Sequence, residues 1–152
     1  YIIFDKNWYK GFLKFGNKYD VAMNQILNKD KKRFRDWTLW PENNNFIDDI
    51  VGKNLNCLLP YNVDSLTDYM YISGTYWVAK KKVMQEFQLN EKLLWGQSED
   101  VEWSKRVRKK YRFKMNKYSK VMCLKQKRND FKKISLIDLR RINKQLKKSK
   151  NS

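Results

Sequence analysis

The first apolar pattern along the chain has the period of a helix. Trp8, Phe12 and Phe15 stand at positions i, i+4 and i+7, so one side of residues 7–15 is apolar. Gly16 follows the last of them and is the type of residue at which helices commonly end. The pattern therefore predicts a short amphipathic helix near the start of the chain.

The next segments predict a hairpin and then a long connection. Residues 19–27 alternate loosely between apolar and polar, residues 28–31 have turn chemistry, and residues 34–40 are rich in aromatic side chains. This order predicts a hairpin whose second arm ends at Pro41, because proline cannot donate to a strand ladder. Residues 48–68 follow no regular period, so we expect a surface connection with little regular structure.

Strand and helix patterns then alternate more clearly. Residues 69–79 are rich in aromatic and β-branched side chains and predict a strand that is interrupted at residues 73–75. The glycine in that interruption permits a bulge or the close approach of another group. Residues 80–87, with Val83 on the apolar face, predict a helix.

The following segments complete the predicted fold. Ser98 is a predicted N-cap for a helix that begins at Glu99 and extends to about Lys110. Residues 111–116 have the period-2 pattern of a half-buried strand, and residues 121–124 predict another strand. Because strands and helices interleave along the whole chain, we predict an α/β domain.

The C-terminal segment differs from the rest in charge. Residues 125–152 hold 11 basic and two acidic residues. Their apolar residues trace an imperfect stripe, which predicts a terminal helix: Ile134, Ile137, Leu139, Ile142 and Leu146. Such a helix is solvated, lies on an acidic membrane surface, or contacts nucleic acid. We therefore divide the chain into a domain at residues 1–124 and a basic helical tail at residues 125–152.

Composition restricts the available chemistry. The chain has no histidine, which excludes Ser-His and Cys-His nucleophiles and histidine-based zinc sites, so a general base has to be a carboxylate. Cys57 and Cys123 lie 66 positions apart without metal-knuckle spacing, which favours a reducing compartment. No apolar run approaches the roughly 20 residues of a membrane span. We expect a cytoplasmic protein, with the basic tail as a means of peripheral membrane attachment.

Length and charge indicate one domain with anionic partners. The 152 residues, 41% of them hydrophobic, are enough for one ordinary core. The net charge of +18 is compatible with nucleic acid, acidic lipid or phosphate-bearing substrates. The chain begins at Tyr1 without an initiating methionine, and its opening resembles the inside of a strand, so we expect a fragment of a longer protein.

Three carboxylates are concentrated just after Trp95 and Gly96. Glu99, Asp100 and Glu102 fall in the first turn of the predicted helix, where they would offset the helix dipole by about 0.3–1 kcal/mol each. Alternatively, one carboxylate accepts a proton from an alcohol, and Trp95 offers a flat face to a sugar ring. Adjacent helical residues point about 100° apart, so one carboxylate can take the proton while the other binds a neighbouring hydroxyl.

These residues belong to a longer motif with a family resemblance. The chain carries YISGTYWVAK at residues 71–80, LNE at residues 89–91 and WGQSEDVEWS at residues 95–104, followed by Arg106 and Val107. Their order and spacing resemble the acceptor-side half of GT-A glycosyltransferases, in particular family 2-like enzymes. The resemblance extends over residues 1–124, and IIFD at residues 2–5 is similar to the segment after the Asp-x-Asp metal motif of that family.

The resemblance implies a fold and a set of functional residues. It implies the C-terminal part of a Rossmann-like GT-A domain, with Asp100 as the catalytic base and Glu99 beside it. The residues that match the acceptor pocket of the family are Ser73, Gly74, Thr75, Trp95 and Gly96. A divalent cation, Mn²⁺ or Mg²⁺, would be bound mainly by residues that precede this chain. Cys123 stands where many members supply a metal-binding histidine, but a thiol is softer than these ions prefer.

Two further features have both a functional and a structural interpretation. Asp36 and Trp37 could line a sugar site, because a carboxylate beside an aromatic face suits a polyol, but their pattern favours core packing. Residues 105–128 contain 12 basic residues and no acidic one. This band would hold a nucleotide diphosphate or a polyanionic acceptor, or it is the solvated surface of a lysine-rich protein. Arg106 is expected to pair with Glu102, four residues earlier.

Together these features predict a glycosyltransferase of polysaccharide or glycan biosynthesis. It would move a sugar from a nucleotide-sugar donor to the hydroxyl of a glycan or other acceptor, and this chain alone would be inactive because the donor half is missing. A basic nucleic-acid-binding module, with stacking aromatic residues, is the alternative from another class. A noncatalytic interaction domain built on the same fold is the third.

Overall fold

The computed structural model describes residues 1–39, 57–64, 69–94, 96–128 and 131–149. Their helices and strands follow one another in this order: β1 (Ile2–Phe4), α1 (Trp8–Phe15), β2 (Val21–Leu27), β3 (Thr38–Leu39), β4 (Cys57–Leu58), β5 (Met70–Tyr71), β6 (Trp77–Ala79), α2 (Lys81–Glu86), α3 (Glu99–Val107), β7 (Phe113–Cys123), β8 (Lys132–Lys133) and α4 (Leu136–Ser149).

The strands form two mixed sheets. The first sheet has the order β1-β7-β2-β6, with β2 and β7 parallel at its centre and antiparallel strands at both edges. The second sheet has the order β5-β3-β4-β8, in which β4 and β8 are parallel. Mixed sheets combined with helices confirm the predicted α/β class.

The predicted first helix is confirmed as α1, and it lies directly on β7. Gly11 is the point of contact, because a Cβ atom added there would stand 2.1 Å from the carbonyl oxygen of Tyr118. Ser119 also donates a hydrogen bond to the carbonyl oxygen of Trp8 at 2.8 Å. A larger residue at position 11 would therefore push the helix away from the strand.

The predicted hairpin forms only at its turn. Asn28 accepts from the amide of Lys31 at 2.9 Å, and the amide of Phe34 donates to Ile26 at 2.8 Å. The chain then leaves this sheet, because Arg35 has a φ of 42° and breaks the extended backbone. The expected second arm is therefore wrong beyond Phe34: its residues 38–39 form β3 in the second sheet, and Pro41 lies outside the described residues.

Two expectations for the middle of the chain are corrected or refined. Residues 48–68 were expected to have little regular structure, but residues 57–58 form β4, whose two side chains are buried. Residues 48–56 and 65–68 lie outside the described part. The interrupted strand at residues 69–79 is confirmed, and its two halves belong to different sheets, β5 to the second and β6 to the first.

The predicted strands at residues 111–116 and 121–124 are one strand, β7. Asn24 of β2 lies opposite Asn116, whereas the next residue, Gln25, lies opposite Lys120, so a bulge in β7 joins the two segments. Asn116 donates to Asn24 at 3.1 Å and to Ser119 at 3.0 Å inside the sheet. These polar residues interrupt the hydrophobic alternation without ending the strand.

The C-terminal helix α4 packs on the core. Leu139 and Ile142 are buried, together with Ile134, in the cluster that also contains Trp37 and Trp103. The predicted stripe is wrong at one position, since Ile137 is 63% exposed. The side chain of Leu146 lies outside the described part, and the domain boundary after residue 124 stays a prediction. No helix in the described ranges combines the length and the apolar character that crossing a bilayer requires.

Candidate functional site

The acidic turn, residues 96–102, begins with two residues in the left-handed backbone region. Gly96 has a φ of 85° and Ser98 a φ of 60°. The predicted cap by Ser98 is wrong, because its side chain makes no capping hydrogen bond to the helix. A left-handed residue at this position turns the chain sharply into α3, which starts at Glu99 as predicted and ends at Val107, three residues before the predicted end. Trp95 lies outside the described residues.

Asp100 faces the interruption between β5 and β6. Its Oδ2 accepts a hydrogen bond from the backbone N–H of Gly74 at 2.8 Å, and its Oδ1 accepts from the N–H of Val101 at 2.9 Å. The side chain is partly buried. The carboxylate is therefore held in one orientation by two backbone donors from different parts of the chain.

Ser104 provides a second link between α3 and the same stretch of backbone. Its Oγ accepts from the N–H of Ile72 at 2.9 Å and donates to the carbonyl oxygen of Asp100 at 2.6 Å. Residues 100 and 104 are about one helical turn apart, so one side of α3 contacts the backbone at both residue 72 and residue 74. Ser104 is not among the functional residues predicted from the sequence, although its i+4 spacing from Asp100 is visible in the motif.

Glycine at position 74 leaves room for the close approach of the Asp100 carboxylate. A Cβ atom added to Gly74 would stand 3.3 Å from Oδ2 of Asp100, which is tighter than an ordinary contact. Ser73 is buried, and its Oγ accepts the N–H of Thr75 at 3.3 Å. The structure therefore brings Gly74 into contact with Asp100, with Ser73 and Thr75 on either side of Gly74 in the chain, and the role of these residues in an acceptor pocket stays a prediction.

The ionisable side chains near Asp100 differ in their partners. Glu99 is partly buried next to Asp100. Glu102 instead pairs with Arg106 at 2.6 Å, which confirms the predicted ion pair and lowers the pKa of Glu102. Burial raises the pKa of Tyr76, beside the same interruption, to about 12. Asp100 and Glu99 are the carboxylates of this turn that no described ion pair engages.

The position of the acidic turn relative to the first sheet favours ligand binding. In the antiparallel pair of β2 and β6, Trp77 lies opposite Met23 and Ala79 opposite Val21. The segment before β6, which contains Gly74, therefore lies toward the carboxyl ends of the parallel strands β2 and β7. Open α/β sheets commonly bind ligands outside the carboxyl ends of their strands.

Asp36 and Trp37 lie in the core. Both are fully buried. Asp36 accepts from Arg33 at 2.7 Å and from the hydroxyl of Tyr61, while Trp37 donates to the carbonyl oxygen of Val63 at 2.7 Å. Burial, with the negative charge of Asp36 as a smaller cause, raises the pKa of Tyr61. This arrangement matches the core-packing alternative, and a role of the pair in sugar binding stays a prediction.

Cys123 does not fit the metal role. Its side chain is 2% exposed, it packs with Ile26 and Val121, and burial raises the pKa of its thiol. Within the described ranges, no group of three acidic, cysteine or histidine side chains could hold a metal ion. The described residues therefore offer no site that fits Mn²⁺ or Mg²⁺.

Comparisons of the chain with protein-family models, with curated proteins and with solved structures found no match. The interpretation of the site therefore depends on the motif at residues 71–104 and on the geometry of the acidic turn. The fold and the acidic turn together define an α/β protein in which the carboxylate of Asp100 is held against the interruption between β5 and β6, at Gly74.

Proposed function

We propose that this chain is the acceptor-side part of a GT-A glycosyltransferase, with Asp100 as its general base. The observation that carries the proposal is the hydrogen bond from Gly74 N–H to Asp100 Oδ2 at 2.8 Å. It joins the two halves of the motif, 26 residues apart, in one place. A turn of acidic residues that served only the helix dipole would not need this contact.

The proposed reaction transfers a glycosyl group to an oxygen nucleophile. Asp100 accepts the proton of the acceptor hydroxyl while that oxygen bonds to the anomeric carbon of the donor. The bond from the anomeric carbon to the phosphate oxygen breaks, and the nucleoside diphosphate leaves with both electrons. A carboxylate has about four lone-pair positions, so Asp100 can accept this proton while it keeps both backbone hydrogen bonds.

The other residues of the turn bind and orient the acceptor. Glu99 accepts a hydrogen bond from a second hydroxyl of the acceptor, since it projects about 100° away from Asp100 around the helix. Ser73, Thr75 and Gly96 are assigned to the acceptor pocket by the resemblance to the family. No described residue is assigned to the donor nucleotide or to the divalent cation of the family.

The test is an isosteric substitution in the full-length protein. Asp100→Asn keeps an oxygen that accepts from Gly74 but removes the basic carboxylate, so kcat should fall by about 100-fold or more. Glu102→Gln is the matched control, because it removes a charge from the same helical turn but lies in the ion pair with Arg106. Release of nucleoside diphosphate from a panel of nucleotide sugars, with and without hydroxyl acceptors, measures the rate.

Two outcomes would contradict the proposal. If Asp100→Asn keeps kcat within a few-fold of the parent value, Asp100 is not the base. If the full-length parent transfers no sugar from any donor of the panel, the glycosyltransferase assignment itself fails.

A further inference from the structure

A basic depression lies at the end of the first sheet opposite to the acidic turn. It has a volume of about 440 Å³ and is open to solvent. Its basic lining residues come from the segment before β2, the end of β6, the turn after α3 and the start of β7: Lys18, Lys80, Lys110, Arg112 and Lys114. Because Val21 lies opposite both Ala79 and Phe113, these segments meet at the amino ends of β2 and β7.

The acidic groups around this depression are already engaged. Asp20, which also lines it, forms an ion pair with Lys82 at 2.8 Å. Glu86 holds Lys110 at 2.6 Å and accepts from the hydroxyl of Tyr111 at 2.7 Å. The acidic side chains are therefore neutralised by partners of their own and do not compensate the remaining cations.

Four cations of the basic depression have no ion-pair partner among the described residues: Lys18, Lys80, Arg112 and Lys114. They share one cavity, so their fields overlap within the Debye length of about 10 Å at 0.1 M salt. Tyr19 adds an aromatic wall, with the Nζ of Lys80 5.5 Å from the centre of its ring. The like charges repel one another unless an anion lies between them.

We propose that the basic depression binds a ligand through two or more linked phosphate groups. The guanidinium of Arg112 donates in the planar fork that suits phosphate oxygens, and the lysines act as point charges around it. A chain of two or three phosphates brings several negative charges into one place, which matches four uncompensated cations better than a single carboxylate does. A volume of about 440 Å³ lies in the usual range of small-ligand sites.

Calorimetry with inorganic tripolyphosphate tests the proposal at low salt. The double variant Arg112→Gln with Lys114→Gln removes two cations of the depression and should weaken binding by about ten-fold or more. Lys10→Gln with Lys29→Gln is the matched control, because both are exposed lysines elsewhere and the net charge falls by the same amount. The control should bind within two-fold of the parent, and thermal unfolding checks that both variants fold.

Two results would overturn the proposal: no binding of tripolyphosphate by the parent, or equal weakening in both double variants. Comparing free and lipid-linked diphosphates identifies the source of the phosphate groups. A free phosphate ligand predicts binding of tripolyphosphate alone, and a lipid headgroup predicts binding of vesicles that contain diacylglycerol pyrophosphate as well, with phosphatidylcholine vesicles unbound in either case. Asp100→Asn should leave tripolyphosphate binding unchanged, so this test can fail or succeed independently of the glycosyltransferase proposal.

Discussion

Replacing Ser104 by alanine tests the link between α3 and the strand interruption. Ser104 is fully buried, and its Oγ accepts the N–H of the fully buried Ile72 at 2.9 Å. An alanine would leave that N–H without its acceptor, which costs about 1–3 kcal/mol. The better helix propensity of alanine returns up to about 0.5 kcal/mol. We expect Ser104→Ala to lower the free energy of unfolding by about 1–2 kcal/mol.

Ser98→Ala is the informative control. Sequence rules predict that Ser98 is the cap, whose loss would cost about 1 kcal/mol, and that serine-to-alanine inside a helix is neutral or favourable. The structure predicts the opposite ranking of the two substitutions. Because the Ser98 side chain makes no capping hydrogen bond, Ser98→Ala should change the free energy of unfolding by less than about 0.5 kcal/mol.

Urea unfolding followed by tryptophan fluorescence measures both variants. For a chain of this length each kcal/mol corresponds to about 2–4 °C in Tm, so a thermal scan supplies a second reading. If Ser98→Ala costs about 1 kcal/mol and Ser104→Ala costs nothing, the described hydrogen bonds at the start of α3 are wrong. The contact between Asp100 and Gly74, which depends on the same placement of α3, would then be contradicted as well.

The remaining predictions concern packing and pH. Gly11→Ala should lower the free energy of unfolding by about 1–3 kcal/mol or more, because the new methyl group collides with the backbone of Tyr118. Lys10→Ala, at an exposed position one residue earlier, should change that free energy by less than about 0.5 kcal/mol in the same urea titration. Arg106 lowers the pKa of Glu102 in the folded state. The ion pair therefore contributes fully to the free energy of unfolding above the ordinary pKa of 4.5. This contribution is lost as the pH falls through the lower pKa of the folded state. Glu102→Gln should therefore be less stable than the parent at pH 7 and equal to it in strong acid, and a constant difference at all pH values would contradict the ion pair.

The candidate site was predictable where its signal is local. The cluster of Glu99 and Asp100, and the glycine at position 74, each stand out from their neighbours in the sequence. That Oδ2 of Asp100 accepts from Gly74 was not predictable from spacing, since 26 residues separate the two and the intervening chain could follow several paths. The resemblance to glycosyltransferases supplied the expectation, and the described contact is compatible with it.

The residues of the basic depression, in contrast, have no local signal in the sequence that sets them apart. Arg112 and Lys114 belong to a charged band that looks uniform in the sequence. Only strand register separates them from the rest of the band, because it sets the start of β7 beside the start of β2 and the end of β6. Charge along the chain indicates anionic partners, but it does not say which cations meet in one cavity.

Local patterns in the sequence were enough to predict the elements whose cause lies within a few residues: α1 from its apolar spacing, α3 from its acidic first turn, and the interrupted strand from its glycine. The folded chain was needed to show which sheet each strand joins, how a bulge joins two predicted strands into β7, and that Ser104 rather than Ser98 links α3 to its surroundings. The physical reason is that helix periods and turns depend on neighbours along the chain. Strand partners and buried hydrogen bonds instead depend on groups that are distant in sequence and meet only when the chain has folded.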